Sequence, residues 1–96
     1  MKAAILTNEF PPEIYGGAGI HVKFLSQELA KFCAIEARCF GVQNVNENNI
    51  HALGFSRKLG LSPADDRFQK IFKPLDINLQ WAASLENVDI LHCHTW

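Results

Sequence analysis

Two short stretches of the 96-residue chain carry residue types that could do chemistry. One is Asn8-Glu9-Phe10-Pro11-Pro12-Glu13-Ile14-Tyr15-Gly16-Gly17-Ala18-Gly19-Ile20-His21-Val22, and the other is His92-Cys93-His94-Thr95-Trp96. The first follows an apolar run, Ala3-Ala4-Ile5-Leu6, and leads into a segment of helical periodicity. That order reads as a strand, a Pro/Gly loop and the N-terminus of a helix. A glycine pair at such a junction lets backbone N–H groups approach an anionic ligand, and the helix dipole adds positive potential there. Gly16 and Gly17 therefore point to a phosphate-bearing small molecule. In the second stretch, strand alternation puts His92 and His94 on one face and Cys93 on the other. Both histidines fall at the carboxyl end of their strand, where ligands bind in open α/β sheets.

The usual nucleotide motifs fail residue by residue. Gly17-Ala18-Gly19-Ile20-His21-Val22 has valine where a dinucleotide fingerprint needs its third glycine, and Gly41-Val42-Gln43 offers no acid for a ribose hydroxyl. Both departures argue against a nicotinamide or flavin domain, and without a Walker lysine a P-loop is excluded. The histidine pair taken alone admits catalysis or ligand binding, a hydrogen-bonded structural role, or zinc, for which no third ligand is evident. His21 reads as helix surface or support for the ligand loop, and His51 carries no signal.

The elements that must position these residues follow from periodicity. Lys2 to Thr7 reads as a buried parallel strand, Ile35 to Gly41 as a second, His51 to Phe55 as a short third and Val88 to His94 as a fourth. A helix is expected from Ala18 to Cys33, with Ala18, Val22, Leu25, Leu29 and Phe32 on its apolar face. The Asn-rich stretch Gln43 to Asn49 reads as loop. Ser62-Pro63-Ala64-Asp65-Asp66 carries a helix-start signature, followed by Phe68, Ile71, Phe72, Leu75, Leu79 and Ala82 at helical spacing. Pro74 makes that either one kinked helix or two short ones. The order predicts an α/β fold with a doubly wound, Rossmann-like parallel sheet of strand order 3-2-1-4. The first and fourth strands are then neighbours, and the Gly16-Gly17 loop and His94 face one crevice.

Composition narrows the function classes. With 48% apolar residues and a formal charge of −1 the chain can build a core, and its scattered lysines and arginines form no stripe for nucleic acid. The apolar runs are too short to span a membrane. Three cysteines with no CxxC pair fit a cytoplasmic protein with reduced thiols. Only two helical segments serve three or four strands, whereas a domain of this kind usually needs about 150 residues. Residues 1–96 are therefore expected to be a partial N-terminal domain.

The stretches NEFPPEIYGGAGIHV and VDILHCHTW resemble the N-terminal domain of retaining glycosyltransferases built from two Rossmann-like domains, the GT-B fold. Within that group the likeness is to bacterial glycogen synthases that use a nucleotide diphosphate glucose. The resemblance implies a nucleotide-sugar donor, with ADP-glucose favoured, and an α-1,4-glucan acceptor. It implies that Tyr15, Gly16 and Gly17 meet the donor diphosphate or sugar, that His94 lies beside the transferred sugar, and that neither metal nor cofactor is needed. It further implies a nucleotide-holding C-terminal domain, absent from these residues, without which the chain is expected to be inactive. Ile14 stands where many glycogen and starch synthases have lysine, which leaves the donor nucleotide open between ADP and UDP. The alternatives are another GT-B transferase making trehalose, sucrose or an envelope glycan, a non-catalytic sugar-nucleotide-binding module, or a non-functional remnant.

Overall fold

The computed structural model describes residues 1–12, 14 and 16–94. The elements are β1 (Lys2–Leu6), α1 (Gly17–Leu29), β2 (Ala34–Phe40), β3 (Asn44–Glu47), β4 (Ile50–Phe55), α2 (Gln69–Ser84) and β5 (Ile90–Cys93), with a single 3-10 turn at Asp66–Phe68 leading into α2. They form one five-stranded sheet of order β3-β4-β2-β1-β5. β4, β2, β1 and β5 run parallel, and β3 pairs antiparallel with β4. This is the Rossmann-like, parallel-dominated α/β sheet that the order of elements predicts, with β1 and β5 side by side.

Alternation along the strands separates two packed faces. Ala3 and Ile5 of β1 lie in register with Ile35 and Ala37 of β2, and these with Ile50 and Ala52 of β4. Together with Val22 of α1, Phe10 and Cys33 they form the hydrophobic core beneath α1. The opposite face packs on α2 through Ile77 and Trp81, both buried. The Trp81 ring lies 5.4 Å from that of Phe40, and its Nε1–H donates to the Cys39 carbonyl at 3.4 Å. Glu36 gathers the charges on this face: Arg38 and His51 each reach its Oε2 at 2.9 Å, and Lys2 lies 3.8 Å from Oε1. Arg38 in turn donates to the Ser84 hydroxyl at the end of α2. Burial works to raise the Glu36 pKa, but the hydrogen bonds and charges of Arg38 and His51 together hold it below the ordinary carboxylate value. His51, silent in the sequence, is thus part of the network tying β2 to β4.

Three local expectations change. Gln43 to Asn49 is not all loop, because Asn44–Glu47 pairs with β4 through a two-residue turn at Asn48 and Asn49. Both asparagines have positive φ, 52° and 65°, the geometry of a tight hairpin, which asparagine tolerates better than other side chains. The Asn49 amide also donates to the carbonyls of Ala30 and Cys33, pinning the turn to the exit of α1. Second, α1 ends at Leu29, and its inward stripe is Gly19, Val22 and Ser26, with Phe32 left 83% exposed beyond it. Third, α2 is one helix through Pro74, led in by an Asp65 rather than a Ser62 cap. Its buried residues are Asp76, Ile77 and Trp81, while Ile71, Leu75 and Leu79 face outward. The helix has two apolar faces, and the one carrying the largest ring and the buried carboxylate wins the sheet.

Asp76 explains how the long connection after β4 is held. Its carboxylate accepts the N–H groups of Lys58 and Leu59, and the Gln80 amide bridges it to the Ser56 carbonyl. No helix among the described residues is long and apolar enough to cross a membrane. Replacing Trp81 by alanine is expected to lower stability by about 3–5 kcal/mol, the usual cost of emptying a buried aromatic site. A urea titration showing an unchanged midpoint would contradict that packing.

Candidate functional site

Gly16 caps α1 in an extended conformation, and its carbonyl accepts the Ile20 N–H at 3.3 Å to begin the helix. The first amides of any helix lack acceptors in their own helix. Here no side chain caps that end and no acid stands in its first turn. Gly16 and Gly17 are exposed, and a Cβ added at either would meet nothing within 4 Å. The space over this backbone is open to a ligand. Gly19 differs: its missing Cβ would fall 2.9 Å from Ile14 Cγ2 and 3.1 Å from Glu9 Cβ. That glycine lets α1 press against the loop. Tyr15 lies outside the described residues, and so do Thr95 and Trp96.

His94 follows β5 directly. Its backbone N–H donates to the Leu6 carbonyl at 2.9 Å, so the β1 ladder fixes where its side chain begins. Ile90 and His92 pair with Ala3 and Ile5, which puts the histidines on the α1 side of the sheet. The His94 imidazole stacks on that of His21, with centroids 5.0 Å apart and planes at 17°. It also hydrogen-bonds with the Ala18 backbone. His92 lies 5.8 Å from His94 on the solvent side, and Cys93 is an exposed free thiol. The structure therefore brings His94 to the first turn of α1, against Ala18, at the end of the helix where the strand order places it. It also brings in His21, four residues after Gly17 and so one turn further along the same helix face. That spacing was the available signal for His21.

Burial holds the His94 pKa below 6.5, and the nearby imidazoles of His21 and His92 push the same way, against the opposing Ala18 hydrogen bond. Near neutral pH His94 is an uncharged imidazole, able to donate one hydrogen bond and accept another. That suits orienting a hydroxyl and does not supply a cation. Among the described residues no group of three His, Cys, Asp or Glu side chains is placed to hold a metal ion. The stacked geometry gives the reason for His21 and His94: their ring nitrogens direct lone pairs in separate, nearly parallel planes.

An open helix N-terminus and a neutral histidine at the carboxyl ends of a parallel sheet are features of a small-molecule site in an α/β protein. No family model matches the chain. Its similarity to known proteins is to glycosyltransferases. It is 33% identical over 96 residues to an alpha-maltose-1-phosphate synthase of Mycobacterium tuberculosis and 30% identical to one of Mycolicibacterium smegmatis. It is 26% identical over 98 residues to an uncharacterized glycosyltransferase of Methanocaldococcus jannaschii. All of this chain is aligned in each case, but it spans only 22% of the mycobacterial proteins and 25% of the archaeal one.

The unfolded chain takes up a proton at the ordinary histidine value of 6.5, above the lowered value of folded His94. Stability contributed by the neutral ring is then complete above 6.5 and is lost as pH falls from there through the lowered folded value. Titration of the histidine ring signals by NMR is expected to find His94 protonating below the ordinary histidine value of 6.5. A midpoint at or above that value would mean that the site is wet and His94 unperturbed.

Proposed function

We propose that this chain forms the donor-facing part of a retaining glucosyltransferase that uses a nucleotide diphosphate glucose. One juxtaposition carries the reading: the open glycine turn at the α1 N-terminus lies beside a neutral His94, in a chain aligned throughout with glycosyltransferases. The amides of Gly16 and Gly17 are assigned to the donor diphosphate, where they stabilise charge as it develops on the leaving phosphate. Tyr15, which precedes them in the sequence, is assigned to donor binding with them. His94 is assigned to the transferred sugar, orienting a hydroxyl. The anomeric carbon–phosphate oxygen bond breaks with its electron pair going to the diphosphate. The acceptor 4-hydroxyl oxygen bonds the same face of the anomeric carbon, and its proton passes to the departing phosphate.

In this reading residues 1–96 belong to an N-terminal Rossmann-like domain, and a second domain holds the nucleotide. The protein works in the cytoplasm, where its cysteines stay reduced, and transfer uses no metal. ADP-glucose is the favoured donor. Glycogen synthesis, with an α-1,4-glucan as acceptor, is one outcome. The name of the mycobacterial relatives favours a second, in which glucose passes to glucose 1-phosphate and yields α-maltose 1-phosphate.

The protein carrying these residues is therefore to be assayed with ADP-glucose and UDP-glucose against maltooligosaccharide and glucose 1-phosphate. Transfer to either acceptor supports the reading, and hydrolysis or no turnover with all four pairs defeats it. Gly17→Val is expected to lower turnover by about 10²-fold or more, the scale of losing an oxyanion donor. Its melting temperature should hold, since the new side chain enters open space. His94→Ala is expected to reduce kcat far more than stability; a fall in melting temperature with kcat kept would make His94 structural.

A further inference from the structure

We propose that His21 is a positioning residue, whose imidazole stacks on His94 and sets the plane in which that ring faces the crevice. The need for such a residue follows from how His94 is held. The β1 ladder fixes its backbone through the Leu6 carbonyl, but that bond says nothing about the ring. The last torsion of a histidine side chain joins an sp³ to an sp² carbon, and its energy profile is broad. The ring plane is therefore set by what touches it.

Among the described residues the ring meets His21 from α1, His92 from its own strand and the Ala18 backbone. Only the His21 contact is a near-parallel stack, at 17°, whereas the His92 ring is tilted by 33°. A flat ring packed on one face of His94 blocks rotation about the last torsion, and the Ala18 hydrogen bond selects the edge presented there. His21 itself stands on a helix that Gly19 allows to press against the preceding loop. Its anchor is thus the same helix start that carries Gly16 and Gly17. Imidazole suits the task because its outer face is exposed and stays hydrated, while the inner face stacks. The imidazole of His21 beside it also helps to keep His94 uncharged. A neutral ring is the useful one beside an anomeric carbon gaining positive character, a consequence that rests on the transferase reading.

The test reads the ring plane directly. In the protein with labelled histidines, ring protons of His94 are expected upfield of the exposed value, with cross-relaxation to His21. In His21→Ala the upfield displacement is lost, and in His21→Phe, which restores a flat ring, it returns. His51, across the sheet in the Glu36 network, is the internal control and should not move. Unchanged His94 signals in His21→Ala would overturn the proposal, as would random-coil values in the unmutated protein. Where transfer is measurable, His21→Ala lowers kcat with KM little changed, and His21→Phe recovers part of it. The ring signals require no sugar nucleotide. A protein that keeps the stack yet transfers nothing would leave His21 as the positioning residue and defeat only the transferase reading.

Discussion

The site depends on β1 having both backbone edges hydrogen-bonded to parallel neighbours. Ala4 and Ile5 are fully buried, and buried N–H and C=O groups must be paired. β2 takes one edge, in register from Lys2↔Ala34 to Leu6↔Arg38. β5 takes the other, bounded by the Asp89 N–H on the Lys2 carbonyl and the His94 N–H on the Leu6 carbonyl. A slip of one residue in β5 would turn His92 and His94 to the α2 face and bring Cys93 to α1. The register of one short strand therefore decides which chemistry meets the glycine turn.

The glycines of the loop divide two physical tasks. At Gly16 and Gly17 a Cβ would meet nothing within 4 Å among the described residues, whereas Gly19 removes a side chain that would collide with Ile14 and Glu9. One kind opens the helix end to a ligand, and the other seats the helix. The close seating brings His21 over His94 and helps to hold His94 neutral. The seat of α1 and the electrostatics of His94 thus share one cause, the tight approach of that helix to the loop after β1.

On the far face, polar groups hold the frame. Burial acts to raise the Asp76 pKa, but hydrogen bonds from Gln80, Lys58 and Leu59 and the charge of Arg57 together keep it lowered. A negative charge there ties the connection after β4 to α2, which delivers the chain across the sheet to β5. The Glu36–Arg38–Ser84 chain does the same between the sheet and the end of α2. Buried groups of this kind fix geometry more than they add stability, because desolvation offsets much of their attraction.

Local pattern carried the strands, the parallel order, the glycine turn and the placing of His94, since strand alternation and helix caps are short-range properties. The Asn48-Asn49 turn is not legible in the sequence because asparagines signal loops and tight hairpins alike, and only pairing with β4 separates the two. The outward stripe of Ile71, Leu75 and Leu79 has the same periodicity as the inward one, so spacing could not rank them. That choice belongs to Trp81 on Phe40 and Asp76 on a distant loop. The sequence by itself determined the four parallel strands, the two helices and the place of the glycine pair at the start of α1, because these rest on local pattern. The tertiary structure alone decided that His21 meets His94: helical spacing puts His21 on the face of Gly17, but the contact joins residues far apart in the chain and needs the register of β5 and the seat of α1.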